Sequence, residues 1–117
     1  MMRLIAAMLC WGALALASPV SAQDGSRPNG TYSVHGSNID GSKYTGTVVI
    51  KPEGKRFRFS WLIANGDTFH GVGSRHGNKI VVDWGQKYPV IYDVADDGVL
   101  YGKWDNGKGS ETLVPNQ

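Results

Sequence analysis

The chain has 117 residues, 12 Lys and Arg against 10 Asp and Glu, 41% hydrophobic residues and 16 glycines. That apolar content is too high for a disordered chain, and the near-balanced charge argues against a nucleic-acid binder relying on counterion release. The length allows one domain with a single small core and leaves little room for a wide catalytic cleft.

Met1-Met2-Arg3 gives a positive start, Leu4 to Leu16 is an apolar run, and Val20-Ser21-Ala22 places small residues where a signal peptidase cuts. The run is shorter than the about 20 apolar residues of a membrane span and ends in Ser18-Pro19. Residues 1–22 therefore read as a signal peptide cleaved after Ala22, with export to the periplasm or the medium. Cys10 has a bulky neighbour and sits within the apolar run, which argues against lipid attachment. It is the only cysteine, so the mature 95 residues carry no thiol and no disulfide. Loss of Arg3 leaves 11 basic against 10 acidic residues.

Gln23 to Asn29 is polar, contains Gly25 and Pro28, and reads as a flexible leader before a single domain over residues 30–117. β-like runs then follow at Thr31–Gly36, Lys43–Lys51, Lys55–Ile63, Thr68–Ser74, Lys79–Trp84, Val90–Val94, Val99–Asp105 and Ser110–Val114. Turn signals separate them, among them Asp40-Gly41, Pro52-Glu53-Gly54, Asn65-Gly66, His76-Gly77-Asn78, Asp96-Asp97-Gly98 and Asn106-Gly107. No window after the signal holds a helical period. An antiparallel meander would leave two open edges unless it closed. The expected fold is all-β, a closed up-and-down barrel of about eight short strands, with a two-sheet sandwich as the alternative.

Alternation marks the inner face. Phe57, Phe59, Trp61 and Ile63 share one side of their run, and Tyr44, Gly46, Val48 and Ile50 share one side of theirs. Trp61, Trp84 and Trp104 lie near the C-terminal ends of the third, fifth and seventh runs, so they should converge on one rim of the barrel. Asn65, Asp67, Gln86, Asn106 and Lys108 fall on the same rim. Three indoles there either plug a small core or line a small-molecule pocket. An Asn106-Gly107 turn would pair Gly102 with Glu111 and point Glu111 inward, where its carboxylate needs donors such as tyrosine hydroxyls or indole N–H groups. A bulge would flip the register and leave Glu111 in water. The same turn logic at Asn65-Gly66 would bury His70 and expose Phe69. Burying a phenylalanine is worth about 1.5–3 kcal/mol, so a longer loop or bulge is expected there.

Enzyme chemistry finds little support. Ser60 and Ser74 lie in no nucleophile-elbow context, and His35, His70 and His76 lack metal-ligand spacing. Asp93, Asp96 and Asp97 do not follow a calcium-loop pattern, and no glycine-rich loop precedes a helix. No metal and no cofactor are therefore expected. A basic outer face around Lys51, Arg56, Arg58 and Arg75 could receive an acidic partner.

Several segments carry a family resemblance: Gly30-Thr31-Tyr32-Ser33-Val34, Asp40-Gly41-Ser42-Lys43-Tyr44-Thr45-Gly46, Phe59-Ser60-Trp61, Phe69-His70-Gly71-Val72-Gly73, Gly98-Val99-Leu100-Tyr101-Gly102-Lys103-Trp104 and Gly109-Ser110-Glu111-Thr112. Together they resemble small exported bacterial proteins catalogued as fibronectin-binding proteins. More loosely, the chain is similar to avidin- and lipocalin-type barrels, and in size to periplasmic lysozyme inhibitors. The resemblance implies a non-enzymatic protein-interaction module, with an extracellular or periplasmic protein as partner and with Asp40, Lys43, Arg56 and Arg58 as contacts. The alternatives are a small-molecule carrier using Trp61, Trp84, Trp104, Glu111, Asn65, Asp67 and Asn106 at the mouth, or an inhibitor of an exported enzyme. No nucleic acid and no membrane span of the mature chain are expected.

Overall fold

Runs of alternating polarity, joined by seven glycine-bearing connections, form eight strands. They are β1 (Gly30–Ser37), β2 (Lys43–Glu53), β3 (Arg56–Ile63), β4 (Thr68–His76), β5 (Lys79–Asp83), β6 (Val90–Val94), β7 (Leu100–Trp104) and β8 (Gly109–Pro115). This computed structural model describes residues 27–116. The expected signal peptide and residues 23–26 lie outside the described residues.

Each strand pairs antiparallel with the next, and β1 also pairs with β8, so the sheet is a closed barrel as the turn pattern predicts. Closure leaves no edge strand among the described residues. Nonlocal contact between the first and last strands runs from Tyr32↔Pro115 to Ser37↔Ser110.

Turn chemistry sets the registers. At one end, Gly54 (φ 61°) and Gly77 (φ 64°) open two-residue turns that pair Glu53 with Arg56 and His76 with Lys79. Pro52, expected within the first of these turns, instead lies in β2 opposite Phe57. At the other end, three residues separate Ile63 from Asp67, whose carbonyl accepts the Ile63 N–H at 2.9 Å. The extra residue is accommodated at Gly66 (φ 97°), and it places Phe69 opposite Trp61 and His70 opposite Ser60. The longer loop expected there therefore keeps Phe69 on the inner face.

The last hairpin keeps the expected register by a different turn. Asp105 (φ 48°) and Asn106 (φ 58°) occupy the left-handed region, with Gly107 following at φ 87°. Trp104 still faces Gly109, Gly102 faces Glu111 and Leu100 faces Leu113.

The core occupies the end with the tight turns. Val34, Val48, Ile50, Phe59, Ile80, Val82, Tyr92 and Leu113 have no exposed surface. The Phe59 ring stacks on Tyr92 at 5.6 Å and tilts against Trp61 at 5.4 Å. Burial of each such side chain stabilises by about 1.5–3 kcal/mol. Part of the expected leader closes this end of the barrel. Pro28 is buried, the Arg27 guanidinium sits 5.9 Å above the Phe57 ring, and the Asn29 N–H donates to the Tyr32 hydroxyl at 3.1 Å. Arg27, Pro28 and Asn29, the last residues of the expected leader, thus lie against the apolar barrel end.

Candidate functional site

The opposite end is open. The C-terminal ends of β1, β3, β5 and β7 meet there around a cavity of about 320 Å³. Its floor is Trp61 and Glu111, both almost fully buried. Tyr44, Trp104, Trp84 and Phe69 form its wall in edge-to-face succession, with centroid separations of 6.5, 6.2 and 5.9 Å. Asn38, Asn65, Asp67 and Gln86 lie on its rim. The three indoles line an open pocket and do not plug it.

Glu111 is placed by the glycines on either side. It sits in β8 between Gly36 of β1 and Gly102 of β7. Tyr44 pairs with Gly36, and Tyr92 pairs with Gly102. Each tyrosine ring lies over its glycine, where a Cβ on Gly102 would come within 2.5 Å of Tyr92 Cε1 and one on Gly36 would overlap the Tyr44 ring. With those positions empty, both hydroxyls reach across a strand to the carboxylate.

The resulting network is closed and charge-assisted. Tyr44 donates to Glu111 Oε1 at 2.8 Å. Trp61 Nε1–H donates to Oε2 at 3.0 Å, and Tyr92 donates to the same oxygen through a short hydrogen bond. Trp104 Nε1–H donates to the Tyr44 hydroxyl oxygen at 3.0 Å, which turns the Tyr44 proton toward Glu111 at 2.8 Å, with the Ser110 carbonyl farther off at 3.4 Å. Burial, together with the Glu111 charge and its hydrogen bonds, raises the Tyr44 and Tyr92 phenols above the ordinary tyrosine value. Trp84 Nε1–H is satisfied separately by the Tyr88 carbonyl at 2.9 Å.

Of the expected mouth residues, Trp61, Trp84, Trp104, Glu111, Asn65 and Asp67 all line this cavity, and Asn106 does not. Asn106 adopts φ 58° at the tip of the β7–β8 turn, so its backbone is used to reverse the chain. Asn65 and Asp67 are linked, Asn65 Nδ2 donating to Asp67 Oδ2 at 3.0 Å. Tyr44 and Phe69 are site residues that alternation places inside without assigning them to the mouth.

The expected partner contacts do not form one patch. Asp40 and Lys43 belong to the hairpin at the mouth, whereas Arg56 follows the turn at the closed end and Arg58 lies near it. The Asp40 carboxylate accepts from the Ser42 hydroxyl at 2.7 Å and from its N–H at 2.9 Å, and these bonds hold its pKa below the usual range. Lys43 Nζ donates to Ser37 Oγ at 2.7 Å. Arg58 is paired with Glu53 through two hydrogen bonds of 2.8 and 3.0 Å, which neutralises part of the basic face.

Fold and site together define a small closed β-barrel with one open, aromatic-walled mouth over a buried carboxylate. No protein-family model and no curated protein matches this chain. Among the described residues no cluster of three His, Cys, Asp or Glu could hold a metal ion, and no helix is long and apolar enough to cross a membrane.

Proposed function

We propose that the mature chain is an exported, non-enzymatic binding protein whose binding site is the barrel mouth. The observation that carries this reading is the open cavity of about 320 Å³ walled by Tyr44, Trp104, Trp84 and Phe69. That volume falls at the lower end of small-molecule sites, about 300–1,000 Å³. The polar groups of the floor are held by one another, so the site is pre-organised and a ligand need not order them on entry. The signal-like segment ending at Ala22 supports export.

A protein-interaction module of the fibronectin-binding kind is the second reading. It is favoured by Ile39, 57% exposed at the hairpin tip beside the mouth, with Asp40 and Lys43 next to it. On that reading the β1–β2 hairpin inserts into a partner and the cavity is incidental.

The test uses the chain from Gln23 onward, purified from cells and examined by native mass spectrometry and by indole fluorescence. The carrier reading expects a retained small molecule, or a ligand of any charge class that shifts the emission and raises the melting temperature. Trp84→Leu should abolish that response while leaving the fold intact. If no small molecule produces it and Ile39→Asp abolishes capture of an immobilised fibronectin fragment, the protein-interaction reading replaces it.

A further inference from the structure

We infer that the mouth selects an organic cation, a quaternary or protonated amine with an apolar body, held by the aromatic wall and the Glu111 carboxylate. This inference rests on the small-ligand reading and specifies its chemistry.

The indole and phenol hydrogens around the mouth are already used. The indole N–H groups of Trp61, Trp104 and Trp84 donate to Glu111, Tyr44 and the Tyr88 carbonyl. The Tyr44 hydroxyl hydrogen is committed to Glu111 Oε1. The wall and floor therefore offer a ligand no free indole or phenol donor. A carboxylate or phosphate reaching the floor would lose its water and find no indole, phenol or cationic donor there, the remaining donors being the neutral amides of Asn38, Asn65 and Gln86 on the rim.

What the cavity does offer is negative potential. The wall is made of four aromatic rings, and a ring face turned to the cavity presents the electron-rich side of its quadrupole. The charged residues lining it are Asp67 and Glu111, both acidic, and no Lys, Arg or His lines it. Among the described residues, Glu111 Oε2 accepts from both Trp61 and Tyr92, whereas Oε1 accepts from Tyr44 alone. A carboxylate oxygen has two lone pairs, so Oε1 retains one for an ammonium N–H. A quaternary ammonium uses the same charge without that bond.

Little else balances this buried charge. The ion pairs among the described residues, Arg58–Glu53 and Lys79–Asp93, are both on the exposed outer surface. The three donors around Glu111 are neutral groups. They make the charge tolerable without cancelling it, which leaves a cationic ligand as the missing counter-charge.

The experiment follows indole fluorescence and thermal shift of the mature chain with choline and benzyltrimethylammonium. The controls are dimethylbutanol, the neutral isostere of choline with carbon in place of nitrogen, and dimethylbutyrate, its anionic counterpart. Choline should bind about tenfold or more tightly than dimethylbutanol, the margin a desolvated cation–π site gives, and dimethylbutyrate should not bind. Glu111→Gln should reduce that preference severalfold. Asp67→Asn, an exposed change away from the core, should reduce it less and keeps the test available should Glu111→Gln fail to fold. Equal binding of choline and dimethylbutanol, or tighter binding of dimethylbutyrate, overturns the cation assignment while leaving the mouth a ligand site. Absence of any response to all four probes overturns the cation assignment too, and the carrier reading then stands or falls on the retained-ligand measurement above.

Discussion

Tyr92 and Glu111 lie two strands apart, and their hydrogen bond exists because Gly102, between them in the sheet, has no side chain. The relation is repeated on the other side of the carboxylate. Tyr44 reaches Glu111 over Gly36 in the same manner. Five strands thus contribute one inward row, Tyr44, Gly36, Glu111, Gly102 and Tyr92, in which large and absent side chains alternate around a single charge. In a narrow barrel this is how an acid is given donors without widening the wall.

The two glycines differ in what surrounds their tyrosines, and their alanine variants should differ accordingly. Tyr92 is fully buried against Phe59 and has nowhere to move. Gly102→Ala should therefore destabilise by about 1–3 kcal/mol or more, as an overpacked core does. Tyr44 stands at the open mouth, half-buried, and can swing outward. Gly36→Ala should cost less, about 1 kcal/mol, because water at the open mouth can replace the bonds Tyr44 makes with Glu111 and Trp104. Denaturant melts of the two variants check the order, and equal losses would contradict this account.

Alkaline titration should report the same network. Burial and the Glu111 charge raise the folded-state pKa of Tyr44 and Tyr92 above the value of 10.0 that an exposed phenol has. The native state then holds those protons more tightly than the unfolded chain does. The contribution to stability is complete below about pH 10 and is lost as pH rises toward the folded values. Phenolate absorbance should show these two tyrosines ionising only with unfolding. Glu111→Gln, which removes the charge, should bring their ionisation to lower pH.

Processing gives a simpler expectation. With cleavage after Ala22, Cys10 is lost and the mature protein contains no sulfur crosslink. Its thermal midpoint should be the same with and without a thiol reductant. A shift would show that the segment carrying Cys10 had been retained or that chains were bridged.

Much of the site is legible in the residues because hairpin centres fix pairing. The Asn106-Gly107 signal suffices to face Glu111 with Gly102, even though the positive φ angles fall at Asp105 and Asn106 as well as at Gly107. The convergence of Trp61, Trp84 and Trp104 follows from counting strand directions. Tyr44 is harder to find, since its role depends on Gly36 lying opposite it across the hairpin centred on Asp40. That cross-strand pairing of an aromatic with a glycine was the available signal. The scattered placement of Asp40, Lys43, Arg56 and Arg58 is not visible in charge counts, which carry no information about opposite ends of a barrel. Whether the indoles fill or frame the mouth depends on where the rings come to rest, and no spacing in the chain specifies that.

The Glu111 series tests the centre of the arrangement. Glu111→Ala removes the acceptor from two tyrosine hydroxyls and one indole N–H and leaves a gap at the cavity floor. Donors left unpaired in a buried site cost about 1–3 kcal/mol each, and water entering from the mouth can satisfy some of them. A net loss of about 2–4 kcal/mol is expected. Glu111→Gln keeps the shape, and its single carbonyl oxygen should take the Oε2 position, where the Trp61 N–H cannot be reversed. The amide NH₂ then faces Tyr44, whose hydroxyl must turn to accept it and so releases its proton toward the cavity. The cost should be smaller, about 1–2 kcal/mol, with the Tyr44 O–H redirected from residue 111. Glu111→Leu offers no acceptor and should resemble Glu111→Ala in stability despite its better fit. Denaturant melts rank the three, with Gln the mildest. Three curves that overlay the parent would place the carboxylate in solvent and remove it from the site.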